Sequence, residues 1–560
     1  MIFLRRLVEK DELSLNKNNS YKSKVFDNFY FEHDTSFDVC EHDNFCVIFN
    51  GEAFSYTSAK SLKSILFEVG SVELLLKEIS DLVGKYTILI IYKNTLNVIQ
   101  SLYKNIDIYY MVENDEFYVT SNLSALLSTG NFEIDTSYAY SFILNKRNFG
   151  LETPFKNVKI VPQGESCLFK SSNNISRSLV SFREISKVNY IEEISKNINL
   201  FNLDKDSPLY VSFSGGLDSS VVLYSALMAN FRPKAIHLLP PEEHSSELEI
   251  AQSVAKEFDV ELLVFKHPYF LSGRETFQPS TLTYNISDIH ILSSGLCETS
   301  EIYNDLMKSE ALPLGLTLTG QGGDFIFMQN PPENIGFDAL KEKGLRSFLN
   351  KTKQYSLLKK ARYFNILHKN IKNFIGNLFS DTSVYNNFFD NNVTLSESKH
   401  LLLDSVSNKS AKYDYIHGVL TGLYSVKPTR NDGYKILHPL YLQNIVFNII
   451  NNSVCDMFNE DHDRLIIREQ FYRKSQSEVA WRKTKRSSSG ALFMFLNNNR
   501  ELIYDYLLNG YVVDTLKINK KWLDEEISQN TMVGITNNCG IVMNILQLEI
   551  YYRQFVWRVK

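Results

Sequence analysis

Cysteine is sparse in this 560-residue chain: Cys40, Cys46, Cys167, Cys297, Cys455 and Cys539 are the whole complement, and no two stand in Cys-x-x-Cys spacing. That excludes a disulfide scaffold and the common zinc modules, and makes a reducing cytoplasm the expected compartment. No apolar run reaches the ~20 residues of a membrane helix, and the start, Met1-Ile2-Phe3-Leu4-Arg5-Arg6, meets charge too early for a signal peptide. A large excess of either charge is missing too. With 59 Lys and Arg against 64 Asp and Glu the net charge is -5, which argues against a general nucleic-acid binder. The rest of the composition is that of a globular protein, and the length suits two to four domains of roughly 100 to 200 residues.

What is present is organised around Pro208 to Val222. An apolar, β-favouring run, Leu209 to Phe213, breaks at Ser214-Gly215-Gly216, and Asp218, Ser219 and Ser220 lead into a second apolar run with helical spacing. This predicts strand, tight turn, helix. Paired glycines let the backbone turn sharply, and the amides of the turn and first helical turn converge on a point that attracts phosphate. Asp218 would repel a bare phosphate, so its presence there makes sense with a magnesium ion between the two. The kinase-type Gly-Lys-Ser/Thr ending is absent. A Gly-Gly turn with Ser and Asp capping a helix would explain the same residues structurally.

Ser214-Gly215-Gly216-Leu217-Asp218-Ser219-Ser220 resembles, residue for residue, the pyrophosphate loop of ATP pyrophosphatases that adenylate a substrate. Downstream, alternating strands and helices over Lys234–Leu239, Glu243–Phe258, Glu261–Phe265 and Leu312–Thr319 indicate a parallel sheet whose strand ends form a ligand crevice. The last of these strands runs into Gly320-Gln321-Gly322-Gly323-Asp324. A second glycine-rich strand end carrying an aspartate would set Asp324 near Asp218, the pair holding Mg²⁺ against pyrophosphate oxygens.

Together these landmarks resemble the asparagine synthetase superfamily, over nearly the whole chain. Phe49-Asn50-Gly51-Glu52, Gly84-Lys85-Tyr86, Tyr109-Tyr110, Thr120 to Leu127 and Val161-Pro162-Gln163-Gly164 follow the order of that family's glutaminase domain. The resemblance implies a degenerate Ntn-type glutaminase-like sandwich over 1–170, α+β in class, then a linker over 171–190. Over 191–560 it implies an α/β, doubly wound parallel-sheet ATP-pyrophosphatase domain with added helices. It also implies ATP and Mg²⁺ as the cofactors, Asp218 and Asp324 as metal ligands, and a nucleotide site of Ser212, Ser214, Gly215, Gly216, Leu217, Asp218, Ser219, Ser220, Gly320, Gln321, Gly322 and Gly323. Glu247 and Ala251 fit the family's spacing on the helix after the loop, although a solvated glutamate explains Glu247 as well.

Two departures narrow the activity. Position 2 is Ile2, where the family exposes its glutaminase cysteine, so this domain is not expected to make ammonia. Gln321 replaces the glutamate of asparagine synthetases and the tyrosine of β-lactam synthetases, and an amide cannot serve as a base. His438, in the Pro439 segment, is either a base or a packed histidine. In Trp481-Arg482-Lys483-Thr484-Lys485-Arg486 the resemblance assigns Lys485, or alternatively Lys483, to the reaction centre, where it would stabilise the oxyanion. An amine carried by the substrate itself points to the lasso-peptide macrolactam synthetases. Their partners are a precursor peptide and its leader-removing protease. The alternatives are an asparagine-synthetase-like or β-lactam-synthetase-like ligase acting on a small molecule, and a non-catalytic ATP-binding scaffold.

Overall fold

The computed structural model describes residues 1–6, 21–103, 105–113, 116–127, 133–171, 174–183, 185, 188–202, 206–239, 246–266, 306–375, 388–390, 393–426, 435–483, 499–529 and 538–553. Its first strands are β1 (Ile2–Arg6), β2 (Lys22–Phe26), β3 (Phe29–His33), β4 (Asp38–Glu41), β5 (Phe45–Ser55) and β6 (Leu82–Tyr92). They continue with β7 (Thr95–Gln100), β8 (Tyr109–Glu113), β9 (Glu116–Thr120), β10 (Val158–Ile160), β11 (Glu165–Ser171) and β12 (Asn174–Leu179). One six-stranded sheet runs β10-β8-β9-β1-β3-β2 and the other β12-β11-β7-β6-β5-β4, every pairing antiparallel.

The apolar runs of β5 and β6 are continuous because both faces are buried. Cys46, Ile48, Leu89 and Ile91 pack on Ile2, Leu4, Phe29 and Phe31 of the opposite sheet. Phe45, Val47, Phe49, Ile88 and Ile90 pack outward on helices Leu62–Glu68 and Val72–Ile79. Ser61 and Ser71 start those helices by accepting from the amides of Ser64 and Leu74. This is the expected sandwich.

Its limits differ from those expected. Of the stretch expected as linker, Asn174–Leu179 is instead a strand that pairs back antiparallel on β11. The closing helices Arg500–Leu508, Tyr511–Thr515, Lys520–Gln529 and Cys539–Arg553, placed by sequence in the second domain, cover the outer face of the first sheet instead. Leu507, Val512, Leu546 and Tyr552 share a core there with Tyr109, Met111, Phe142 and Val158. That is where apolar area was available for them.

The second unit is a five-stranded sheet ordered β15-β14-β13-β16-β17. It comprises β13 (Leu209–Ser212), β14 (Lys234–Leu239), β15 (Leu262–Lys266), β16 (Leu316–Thr319) and β17 (Lys435–Leu437), all parallel. Alternate residues face opposite sides. Leu209 and Val211 enter the large core with helices Tyr190–Phe201 and Leu217–Met228, whereas Tyr210 and Ile236 meet Leu306 and Met307 on the other face. Thus the doubly wound arrangement is present.

The two units meet at β17. Gln443 accepts from the Gly84 amide at 2.9 Å and donates to the Gly84 carbonyl at 2.7 Å, so a side-chain amide pairs with the β6 backbone. Beside it Lys85 Nζ donates to the Ile436 carbonyl at 3.3 Å, and Lys435 pairs with Glu52 at 3.1 Å.

Candidate nucleotide and adenylation site

Strands β13 and β16 are neighbours in register, with Ser212 opposite Thr319. Since parallel strands end on the same side, the glycine-rich loops that follow them lie side by side.

The first loop leads directly into helix Leu217–Met228, whose N-cap is Gly216 with no side-chain bond to the helix amides. Its first-turn N–H groups therefore have no intrahelical acceptor, the arrangement that lets a helix N-terminus bind an anion. Gly215 holds φ +74°, and a Cβ there would stand 2.8 Å from the Ala251 amide nitrogen. This gives Ala251, fully buried, its purpose: its helix packs on the loop. Ser214 and Ser219 hydroxyls lie 3.2 Å apart, the Gly216 amide donates to Ser214 Oγ at 3.3 Å, and Ser219 Oγ donates to the Gly216 carbonyl at 3.1 Å. The serines thereby fix the turn. Ser220 is fully buried in the core-facing side of the helix.

The second loop fits against the first through its glycines. An added Cβ on Gly320 would stand 2.7 Å from the Ser219 amide nitrogen, and one on Gly323 would stand 2.3 Å from Asp218 Cγ. Gly322, at φ +97°, has the Tyr441 ring where a side chain would go, 2.6 Å from that position. Asp324 follows in the short helix Gly323–Ile326. Gln329, with its amide oriented to donate, reaches Asp324 Oδ1 at 2.7 Å.

Asp218 and Asp324 converge on one cation. Arg464 Nη1 donates to Asp218 Oδ2 at 2.8 Å and to Asp324 Oδ1 at 3.0 Å. The guanidinium side chain is only 6% exposed, so these charge-assisted bonds act with little screening. Burial would favour the neutral form, yet the charges of Asp218, Asp463 and Asp324 outweigh it and hold Arg464 above its usual range. Arg464 itself sits in left-handed conformation, φ 52°, at the entrance to helix Leu465–Ser475. A non-glycine residue held there costs on the order of 1–3 kcal/mol, which its surroundings must compensate.

The sequence motifs do not single out Arg464. The run Asp461-His462-Asp463-Arg464, charged and immediately before a helix, was the available signal. Arg468 acts through the backbone: it donates to the carbonyls of Asp463 at 2.7 Å, Ala480 at 2.5 Å and Arg482 at 3.2 Å, and pairs with Asp463 at 3.1 Å. It anchors the segment that leads to Lys485. Lys485 itself lies outside the described residues. The alternative, Lys483, is exposed and pairs with Asp461 at 3.2 Å.

His438 is packed rather than available as a base. It is 4% exposed, and burial, reinforced by the Lys85 charge, pushes its pKa down to about 3. Gln321 is half-buried, its amide donating to Thr319 Oγ1 at 3.2 Å. Among the described residues no group of three or more His, Cys, Asp or Glu is placed to hold a metal by itself. Two carboxylates are nevertheless a fitting hard-oxygen donor set for Mg²⁺, which takes one or two protein carboxylates and completes its shell with water and phosphate. That they already meet at a common cation supports the fit.

Residues 202–407 match the family model described as asparagine synthase, a range that includes both glycine loops. The chain is 25% identical over 520 residues to Microcin J25-processing protein McjC of Escherichia coli, covering 90% of this chain and 92% of that protein. Two solved structures are more distant. The allosteric regulatory enzyme of purine biosynthesis is 9% identical, covering 47% of this chain and 74% of that one, with a TM-score of 0.21. The glutamine phosphoribosylpyrophosphate amidotransferase from B. subtilis complexed with ADP and GMP is 11% identical, covering 53% and 68%, with a TM-score of 0.19. At those scores neither carries an argument about this chain. From the family match and the full-length relative, residues 202–407 are an asparagine synthase domain, and the two similarities together support an ATP-dependent amide-forming ligase.

Proposed function

We propose that this protein is a lasso-peptide cyclase. It adenylates an Asp or Glu side chain of a ribosomal precursor peptide and joins it to the peptide's N-terminal amine, releasing AMP and pyrophosphate. The observation that supports the adenylation step is the convergence of Asp218 and Asp324 at the adjoining ends of β13 and β16. The choice of a peptide rests on the full-length similarity to a microcin-processing protein. It also rests on the first domain, where Ile2 is fully buried in the sandwich core and offers no nucleophile for making ammonia.

The substrate carboxylate attacks the α-phosphorus of ATP, and pyrophosphate leaves. Amides at the start of helix Leu217–Met228 hold the departing phosphates, with Ser212, Ser214, Ser219 and Ser220 shaping the loop and Gly320 to Gly323 closing it from the side. Asp218 and Asp324 would hold Mg²⁺, which when bound neutralises charge on the pyrophosphate. Arg464 adds a fixed positive charge at the same point. The peptide amine then attacks the acyl carbon and AMP departs, leaving an isopeptide bond; Lys485 is placed here as the cation that stabilises the oxyanion.

In this reading the partners are the core peptide and the protease that removes its leader. The compartment in this reading is the cytoplasm, as the sparse cysteines lead one to expect; the described cysteines Cys40, Cys46, Cys167 and Cys455 are free thiols, and no described helix is long and apolar enough to cross a membrane. A peptide with a free N-terminal glycine and an Asp or Glu several residues on, incubated with protein and Mg-ATP, tests it. Loss of one water from the peptide with release of AMP and pyrophosphate is expected. AMP release without ring closure would indicate another amine and a small-molecule ligase. ATP binding without any turnover would indicate a scaffold whose carboxylates stay locked on Arg464.

A further inference from the structure

Behind the second glycine loop, a line of hydrogen bonds crosses from the first domain into the site. The Tyr103 ring, fully buried, belongs to the first domain and lies under the Lys85 ammonium, 5.0 Å from the ring centre. The His438 amide donates to the Tyr103 hydroxyl at 3.2 Å. His438 Nδ1 stands 2.5 Å from Thr319 Oγ1, the last residue of β16. Thr319 Oγ1 in turn accepts from the Gln321 amide at 3.2 Å, inside the loop that delivers Asp324. Tyr441, three residues beyond His438, fills the space beside Gly322.

We infer that His438 is a positioning residue through which the glutaminase-like domain sets the conformation of the Gly320–Asp324 loop. The inference rests on the reading of that loop as part of the adenylation site. It assigns the first domain a present role: it is the rear wall of the site rather than a source of ammonia.

Thr319 Oγ1 has two lone pairs, so while accepting from the Gln321 amide it can still pair with His438 Nδ1 in either tautomer. The imidazole that makes this bond is neutral. Burial and the neighbouring Lys85 charge ensure that state at neutral pH. Thr319 is 2% exposed, so water does not replace the bond. Without it, Thr319 loses its side-chain partner and the loop keeps only its other contacts, those with the first turn of helix Leu217–Met228, with Tyr441 and through Asp324 with Arg464.

The test uses the full chain and compares His438→Ala, His438→Asn, Thr319→Val and Tyr103→Phe. Hydrogen exchange is read at the amides of Gln321 to Asp324, with those of β13 as internal reference, alongside KM for Mg-ATP and kcat. His438→Ala and Thr319→Val should accelerate exchange in the loop tenfold or more while β13 keeps its protection. KM for Mg-ATP should rise at least tenfold in the same variants. His438→Asn, whose amide can reach Thr319, should restore most of both. Tyr103→Phe, which removes one hydroxyl and no volume from the core, should show the loop effect in weaker form even where His438→Ala does not fold. Unchanged loop exchange in Thr319→Val and Tyr103→Phe would overturn the inference, as would acceleration spread equally over β13. If wild type turns over no nucleotide, the adenylation reading fails, and the exchange measurement still decides whether His438 holds the loop.

Discussion

A single nitrogen of Arg464 bonds to carboxylates from two strand ends, Asp218 at 2.8 Å and Asp324 at 3.0 Å. Two like charges brought this close repel unless a cation lies between them, so whatever binds here must satisfy the same pair. Replacing Arg464 by Leu removes the cation that the two carboxylates share in a partly buried place, a loss of about 3 to 5 kcal/mol. Added Mg²⁺ should then recover part of that loss. Thermal denaturation with and without Mg²⁺ is the check: Arg464→Leu should melt lower than wild type without metal and gain more from it. An equal gain in both proteins would mean the metal does not meet these carboxylates.

The two aspartates are not equivalent in their surroundings. Asp218 has a side chain 12% exposed and touches the Gly323 backbone, whereas Asp324 is 38% exposed. Asp218→Asn and Asp324→Asn should each lower ATP–pyrophosphate exchange by a hundredfold or more, comparable to losing one charge-stabilising contact of about 3 to 4 kcal/mol. Asp218→Asn should also disturb the fit between the loops and lower the melting temperature more than Asp324→Asn does. Exchange at wild-type rate in either variant would remove that residue from the site.

Gly322 and Gly323 separate backbone strain from space. Alanine at 322 must adopt φ +97° and displace the Tyr441 ring, a combined loss above the 1–3 kcal/mol typical of strain alone. Alanine at 323 needs no positive φ but collides with the Asp218 carboxylate. Both should abolish exchange, Gly322→Ala with a lower melting temperature. Gly70→Ala, with nothing within 4 Å of the new methyl, serves as the control that should leave both quantities near wild type.

Much of this was legible in the sequence because local signals and the final structure agree. The Ser-Gly-Gly and Gly-x-Gly-Gly-Asp loops each contain their turn residues and lie at the ends of strands that proved to be adjacent. The landmarks Phe49-Asn50-Gly51-Glu52, Gly84-Lys85-Tyr86 and Tyr109-Tyr110 fall on β5, β6 and β8. What was missed depends on tertiary packing. β1, central in its sheet, is five residues long and too short to show periodicity. The closing helices attach to the first domain because its sheet has a free apolar face, information that no stretch of the helices contains. Arg464 is one arginine among many until two distant carboxylates come to it.

His400 offers a pH test at the other side of the domain junction. Fully buried, it uses both ring nitrogens: Nε2 lies 2.7 Å from the Gln163 carbonyl, and Nδ1 accepts from the Leu402 amide at 3.1 Å. That pattern requires the neutral ring, and burial pushes its pKa down to about 4. Between pH 6.5 and about 4 the unfolded chain therefore binds a proton that the folded chain refuses, so stability falls as pH falls, by about 3 kcal/mol across the window. His438, pushed down to about 3, has the same sign. The neighbouring Glu165, whose pKa burial raises, works against them, since acidification relieves its charge. Denaturant unfolding measured from pH 7 to pH 4 should show the decline. In His400→Asn the pH 7 stability should be lower but the slope shallower by up to about 1.4 kcal/mol per pH unit, the contribution of one proton. An unchanged slope would mean that His400 binds its proton in the folded chain as readily as in the unfolded one.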